Sequence, residues 1–160
     1  MAVFTGSPTS GPVYANQISV NLGRSENVEG AMQFARLGVY THAAGAGTGE
    51  INLVTLPAGR IIILPLECQI ITSQFATGAK FDIGTRAFTN EDGTVVAEAP
   101  VRYVTDSAAG GGPLNTTFNG AARVEVLDSQ EGVTIYMTVD TGNIEDGDTI
   151  DGWCRYVRLR

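Results

Sequence analysis

The chain has 160 residues, 43% of them hydrophobic, a formal net charge of −7, and one lysine, Lys80, among ten basic side chains. A domain of this size hides roughly 70% of its unfolded surface, so one core is expected, with no disulfide or cofactor needed to hold it. The acidic balance argues against nucleic acid, which calls for a basic surface that displaces counterions, and no apolar run approaches the ~20 residues of a membrane-crossing helix.

Residues 1–30 read as an extended arm ahead of a domain over residues 31–160. Gly6, Ser7, Pro8, Thr9, Ser10, Gly11 and Pro12 offer little to bury, and their prolines fix an extended backbone. Apolar residues are still spread along the arm, among them Phe4, Val13, Tyr14 and Ile18. A solvated leader has no use for them, so docking on a neighbouring molecule is the favoured reading over a disordered leader. The start, Met-Ala-Val-Phe-Thr-Gly-Ser-Pro, lacks the basic and long apolar stretches of a secretion signal, which points to synthesis in a cytoplasm.

Ser25–Tyr40 could open a short helix at Ser25-Glu26, but Gly30 follows too soon, and a turn followed by a strand is expected. Ala43–Gly49 reads as a flexible glycine loop. From Glu50 onward the pattern is β: Val, Ile and Leu in short runs broken by Gly and Pro. Expected strands are Ile51–Leu56, Arg60–Leu64, Glu67–Thr72, Lys80–Phe88, Thr94–Ala97, Val101–Thr105, Ala122–Leu127, Val133–Val139 and Gly152–Leu159. Val133-Thr-Ile-Tyr-Met-Thr-Val139 has the clearest period of two, with its odd-numbered residues facing the core. Asn90-Glu-Asp-Gly93 fits a hairpin loop, and Asp106–Asn115, rich in glycine, a mobile excursion. Short, evenly spaced strands without a fixed repeat favour an all-β, jelly-roll-like two-sheet sandwich.

Chemistry is sparse. Gly45-Ala-Gly-Thr-Gly49 has the glycine density of a phosphate loop, but a strand rather than a helix N-terminus follows it. His42 is the single histidine and reads as a solvated loop residue, with no orienting partner in sight. Asp140, Glu145, Asp146, Asp148 and Asp151 lack the EF-hand order and suit turns better than a calcium site or a pair of carboxylates for glycoside cleavage. Cys68 and Cys154 fit no zinc spacing; they are two reduced thiols or a disulfide. No catalytic residue, metal or cofactor is assigned. At the carboxyl end, alternation groups Tyr156, Arg158 and Arg160 on one face, either as a charged edge strand or as a contact strip. Trp153, Val157 and Leu159 take the other face, with Arg155 among them, and Trp153 reads as internal.

Leu56-Pro-Ala-Gly-Arg60, Ile63-Leu-Pro65, Phe81-Asp-Ile-Gly84, Asp92-Gly-Thr94 and Gly132-Val-Thr-Ile-Tyr136 follow one another in a familiar order. Over about residues 50–157 the chain resembles small β-rich structural proteins of tailed bacteriophages that decorate or cement the head. The resemblance implies a non-enzymatic homo-oligomer, with a trimer favoured, bound to the major capsid protein on the outer capsid surface of the virion. Neither nucleic acid nor membrane is implied as a partner. It carries no family active site. The rival class is a glycan-binding adhesion module on the virion, which would present exposed aromatics around a groove; a neck or tail position is a further alternative. Contacts are expected from the arm and from the Tyr156/Arg158/Arg160 strip.

Overall fold

The computed structural model describes residues 13–15, 32–37, 40–119 and 124–159. Fourteen strands account for most of them: β1 Val13–Ala15, β2 Met32–Arg36, β3 Tyr40–Thr41, β4 Gly47–Leu56, β5 Gly59–Ile63, β6 Gln69–Thr72 and β7 Lys80–Thr85, then β8 Phe88–Thr89, β9 Val95–Val96, β10 Ala99–Ala108, β11 Leu114–Thr117, β12 Glu125–Ser129, β13 Val133–Ile144 and β14 Thr149–Arg158. Among the described residues no helix is long and apolar enough to cross a membrane.

The strands form two large sheets, one ordered β1-β4-β13-β7-β10 and the other built around β14. β14 pairs with β3 and then β2 along one edge, and with β6 and then β5 along the other. The last two continue outward into β11 and β12 respectively. Taking β2/β3, β5/β6 and β11/β12 as three interrupted strands, the second sheet reads β2/β3–β14–β5/β6–β11/β12. The first, without β1, reads β4–β13–β7–β10. Apart from β7 and β10, which are neighbours in the first sheet, successive segments of these eight strands alternate between sheets, in the double Greek-key pattern of a jelly roll. The expected fold class holds.

Pro65 explains one interruption. β5/β6 is paired on both sides, and a proline there has no N–H for the ladder. The chain leaves the sheet in a 3₁₀ turn over Pro65–Glu67, with Pro65 in the first turn where no donor is required. Glu67 N–H then bonds Leu64 O at 2.9 Å and Cys68 N–H bonds Pro65 O at 2.9 Å, and β6 rejoins the same edge of β14.

The core fills the space between the sheets. Ile51, Leu53, Leu56, Ile83, Val133, Ile135, Met137 and Val139 come from the first sheet, and Ala35, Ile61, Ile63, Ile70, Leu127, Ile150, Cys154 and Tyr156 from the second, all at most 2% exposed. As expected, Val133, Ile135, Met137 and Val139 of β13 all point inward. A register shift opposite Ile135/Tyr136 leaves Leu53 as the extra residue of β4, so that Leu53 and Val54 are both buried. One open side between the sheets is bridged by Arg102 of β10, whose Nε donates to Glu125 of β12 at 2.7 Å.

Glycine-rich segments depart from their expected roles. Gly47 and Gly49 belong to β4 rather than to a flexible loop, pairing with Ile144 and Val139 of β13. The Asp106–Asn115 stretch is ordered by backbone contact: Ala109 and Gly110 N–H both reach Ala79 O, and Phe75 N–H reaches Ala109 O. A side chain at Gly110 would lie 2.4 Å from Gly78 N. Glycine here allows two backbones to touch, a constraint that composition reads as flexibility. The Asn90–Gly93 loop matches its expectation. Asn90 N–H bonds Thr94 O at 2.8 Å, Gly93 has φ +85°, and the Asp92 carboxylate caps Thr94 N–H. Lys80–Phe88 divides into β7 and β8, and Thr94–Ala97 shortens to the two-residue β9.

Gly84 gives the sharpest test of this packing. An added Cβ would fall 1.9 Å from Ala99 O and 2.5 Å from Pro100 C, both backbone atoms that cannot rotate away. Gly84→Ala is expected to cost about 1–3 kcal/mol or more, read as a lower urea midpoint. Gly47→Ala, with nothing within 4 Å of its Cβ, should leave the midpoint within about 0.5 kcal/mol of wild type.

Candidate functional site

β14 is the central strand of its sheet, where an edge strand was expected, and this changes the reading of the carboxyl end. Its inward residues are Ile150, Gly152, Cys154 and Tyr156; its outward residues are Trp153, Arg155 and Val157, all partly exposed. Tyr156 has no exposed surface and sits in the core, so the strip expected of Tyr156 is not a surface feature. Trp153, expected inside, lies on the outer face. The sequence alternates correctly, but polarity misleads: a tyrosine and a cysteine occupy the core side while a tryptophan and a valine face outward. Arg158 is partly exposed, and Arg160 lies outside the described residues. In the arm, Phe4 and Ile18 also lie outside them. Val13 and Tyr14 belong to β1, which pairs in parallel with β4 in register Val13–Glu50 and Tyr14–Ile51.

Among the described residues, the outer face of the β14 sheet gathers several of the exposed large apolar side chains, Phe34, Leu66, Ile71 and Val126. Val157, Ile62 and Val126 stand in register across β14, β5 and β12; Val126 is 49% exposed. Beside that row a groove of about 500 Å³ is lined by Phe34, Leu66, Glu67, Cys68, Gln69, Thr117, Trp153 and Arg155. Phe34 is 51% exposed and Leu66 53%. The rim is held in place: Trp153 Nε1 donates to Glu67 O at 3.0 Å, Arg155 lies 4.6 Å over the Phe34 ring and pairs with Glu67. These contacts fix side chains that would otherwise lose rotamer entropy on meeting a partner.

The outer face of the other sheet is closed by charge. Arg86 Nη1 lies 2.6 Å from Glu50 Oε2 and 2.8 Å from Glu98 Oε1, Arg86 Nε donates to Asn52 at 3.1 Å, and its guanidinium carbon stands 3.9 Å over the Tyr136 ring. Tyr136, on the outward side of β13, is thereby buried. Burial first, then its hydrogen bond to Glu98, holds its hydroxyl well above the ordinary tyrosine range. The sequence reading missed this cluster, because Glu50, Arg86, Glu98 and Tyr136 come from separate segments and share no spacing. Removing one partner leaves a buried charge uncompensated. Arg86→Met alone should therefore lower stability by about 3–5 kcal/mol, whereas Arg86→Met with Glu50→Leu should recover most of that loss in the same chemical denaturation series.

Asp82, also on this face, accepts the backbone N–H of Asp106 at 2.6 Å, holding a register shift of β10 where Asp106 has φ +49°. Burial raises the Asp82 carboxyl above its ordinary value; the Asp106 N–H opposes this, and nearby Asp140 and Asp106 add to it. A raised carboxyl holds its proton more tightly when folded, so its contribution to stability is greatest in acid and is lost as pH rises through the folded value. Asp82→Asn keeps an acceptor for Asp106. It is expected to raise Tm at pH 7 relative to wild type, and the gain should vanish below the carboxylate range in melts taken across pH.

The remaining candidates are structural. His42 is 1% exposed rather than solvated. Its Nδ1 lies 2.9 Å from Tyr40 Oη and its Nε2 2.9 Å from Gly45 O, so the ring ties the Gly45 loop to β3. Of the acids, Asp148 accepts Ser73 Oγ and Glu145 N–H, Asp146 accepts Gly45 N–H, and Asp151 pairs with Arg36. They cap turns and fasten loops, as expected of acids in such positions. Among the described residues no group of three or more His, Cys, Asp or Glu is arranged to hold a metal. Cys68 and Cys154, buried free thiols, meet with their sulfurs 3.3 Å apart.

The sequence matches no family model and no curated protein. The fold has solved counterparts. A chain from the capsid of Ralstonia phage GP4 superposes with a TM-score of 0.61 at 16% identity, covering 84% of this chain and 88% of that one. Lower similarity extends to a chain of the cyanophage Pam1 capsid (TM-score 0.49, 12% identity, 79% and 84% covered) and one of the capsid of Helicobacter pylori bacteriophage KHP30 (0.43, 12%, 81% and 90%). The first of these shows a shared fold over nearly the whole of both chains.

Proposed function

We propose that this chain is a structural protein of a tailed-phage virion that decorates and stabilises the capsid, binding the major capsid protein and sister subunits on its outer surface. The observation that carries the reading is the apolar outer face of the β14 sheet, on a fold shared almost end to end with a chain from a phage capsid. Val126, Ile62, Val157, Phe34 and Leu66 offer one partner a broad surface. Apolar area of this kind drives association when buried, at roughly 25 cal/mol per Å² before the costs of immobilisation. No charged side chain precedes Arg24, so the arm can lie against a neighbour without stripping water from an ion.

In this reading the face grips the major capsid protein. The arm, through Phe4, Val13, Tyr14 and Ile18, joins sister subunits into a homo-oligomer, a trimer by preference. Arg158 and Arg160 add polar contacts to a partner. Tyr156 takes no part, being enclosed. Many weak contacts repeated over a shell bind tightly through effective concentration.

Binding to heads assembled without the protein tests the proposal. The full chain should co-sediment with them to saturation. Val126→Asp with Phe34→Asp should weaken binding at least about tenfold, as each buried charge costs more than 1.4 kcal/mol. Removing residues 2–24 should lower occupancy and oligomer order together. Absence of binding by the wild-type chain to heads at any stage of maturation would refute the role.

Glycan recognition is the second reading, favoured by one observation: Trp153 and Phe34 line the groove. Arg155 already covers the Phe34 ring and the Trp153 N–H is engaged, which leaves less for a sugar to use. Glycan-array binding lost in Trp153→Ala would decide in its favour.

A further inference from the structure

Cys68 and Cys154 lie far apart in sequence but face each other across the break in β5/β6. β6 pairs with β14 in the register Gln69–Trp153 and Ile70–Gly152; one step further sets Cys68 opposite Cys154. Their sulfurs are 3.3 Å apart, so bonding requires closure on the order of 1 Å. The two thiols are not equivalent. Cys68 receives the backbone N–H of Arg155 at 3.2 Å and borders the groove. Both side chains are enclosed, and Cys154, on the core side of β14, does not line the groove.

We propose that Cys68 and Cys154 are an oxidisable dithiol that forms an intrachain disulfide, stapling the Pro65–Glu67 turn to the central strand when the protein meets a peroxide-class oxidant. Cys68 acts first. Its thiol is held below the ordinary value by the hydrogen bond with Cys154, against burial and with help from the Arg155 N–H; Cys154 is held well above by the same bond and by burial. The Cys68 thiolate attacks one oxygen of hydrogen peroxide, the O–O bond breaks, and hydroxide leaves with the sulfur as a sulfenic acid. The proton released when Cys68 ionises goes to that hydroxide, giving water. The Cys154 sulfur then attacks the sulfenic sulfur, the S–O bond breaks, and the departing hydroxide takes the Cys154 proton as a second water. In balance, two thiols and one peroxide give one disulfide and two waters, with two electrons passing from sulfur to oxygen.

The staple would be largely conformational in effect. It closes a loop spanning 86 positions, and cross-links over long loops restrict the unfolded chain most. The proposal stands apart from the capsid reading, since it concerns the isolated protein.

The test is to expose the purified full chain to a slight excess of hydrogen peroxide and follow it by intact mass, thiol alkylation after denaturation, and non-reducing peptide mapping. Expected are a loss of two mass units, disappearance of both alkylatable thiols, one linked peptide pair joining Cys68 to Cys154, and a Tm rise of about 5 °C or more, all reversed by dithiothreitol. Cys154→Ser should instead leave oxygen adducts on Cys68 and no Tm rise. Separate sulfinic adducts in wild type, intermolecular links, or two unmodified thiols while methionine is oxidised would each overturn the proposal. So would a linked pair that lowers Tm.

Discussion

The molecule depends on β14 being paired along both edges. Ten residues near the carboxyl end accept β2 and β3 on one side and β5 and β6 on the other, so four separated segments are held in one plane by a single strand. Both sides of its sheet follow from that. The core side carries Ile150, Cys154 and Tyr156, and the outer side Trp153, Arg155 and Val157. A strand in that position has no free ladder groups, which leaves only its side chains to meet a partner. Shifting its register by one residue would exchange the two sets.

The two outer faces solve the problem of a sheet surface differently. On the β13 side, Arg86 covers Tyr136 and pairs with both Glu50 and Glu98, so the patch around Tyr136 is completed within the chain. On the β14 side, the Arg155–Glu67 pair and the Trp153 hydrogen bond order the rim of a groove and leave Leu66, Phe34 and Val126 in contact with solvent. Contiguous exposed apolar surface is uncommon on a monomeric protein and marks contact sites. The asymmetry is what places the proposed contact face on one sheet. Pro65 contributes to it: by forcing the chain out of the ladder, it lifts Leu66 and Glu67 above the sheet and forms one wall of the groove.

Local chemistry decided how much could be read from the residues. The period-two run of Val133–Val139 fixed its buried face without ambiguity, because every odd position is apolar. Asn90–Gly93 was legible as a turn because glycine at positive φ and an aspartate cap are requirements of a short loop. His42 was misread since its partners, Tyr40 and Gly45, become partners only once the loop folds back. Gly110 was misread because close backbone approach and flexibility use the same residue. Tyr156 and Trp153 were exchanged in role: both are amphipathic, and either can take the core side of a central strand.

Composition, turn residues and strand periodicity therefore established an all-β sandwich, its principal strands and the absence of a familiar catalytic motif, since each depends on residues close together in the chain. Only the tertiary structure decided that β14 is central, that Tyr136 is roofed by Arg86, that Cys68 meets Cys154, and that Phe34, Leu66 and Val126 open together on the β14 sheet. Those facts rest on pairings between segments up to more than a hundred residues apart, such as Arg36 with Asp151. Such partners are chosen by the packing of the whole chain against itself, and no local pattern encodes them.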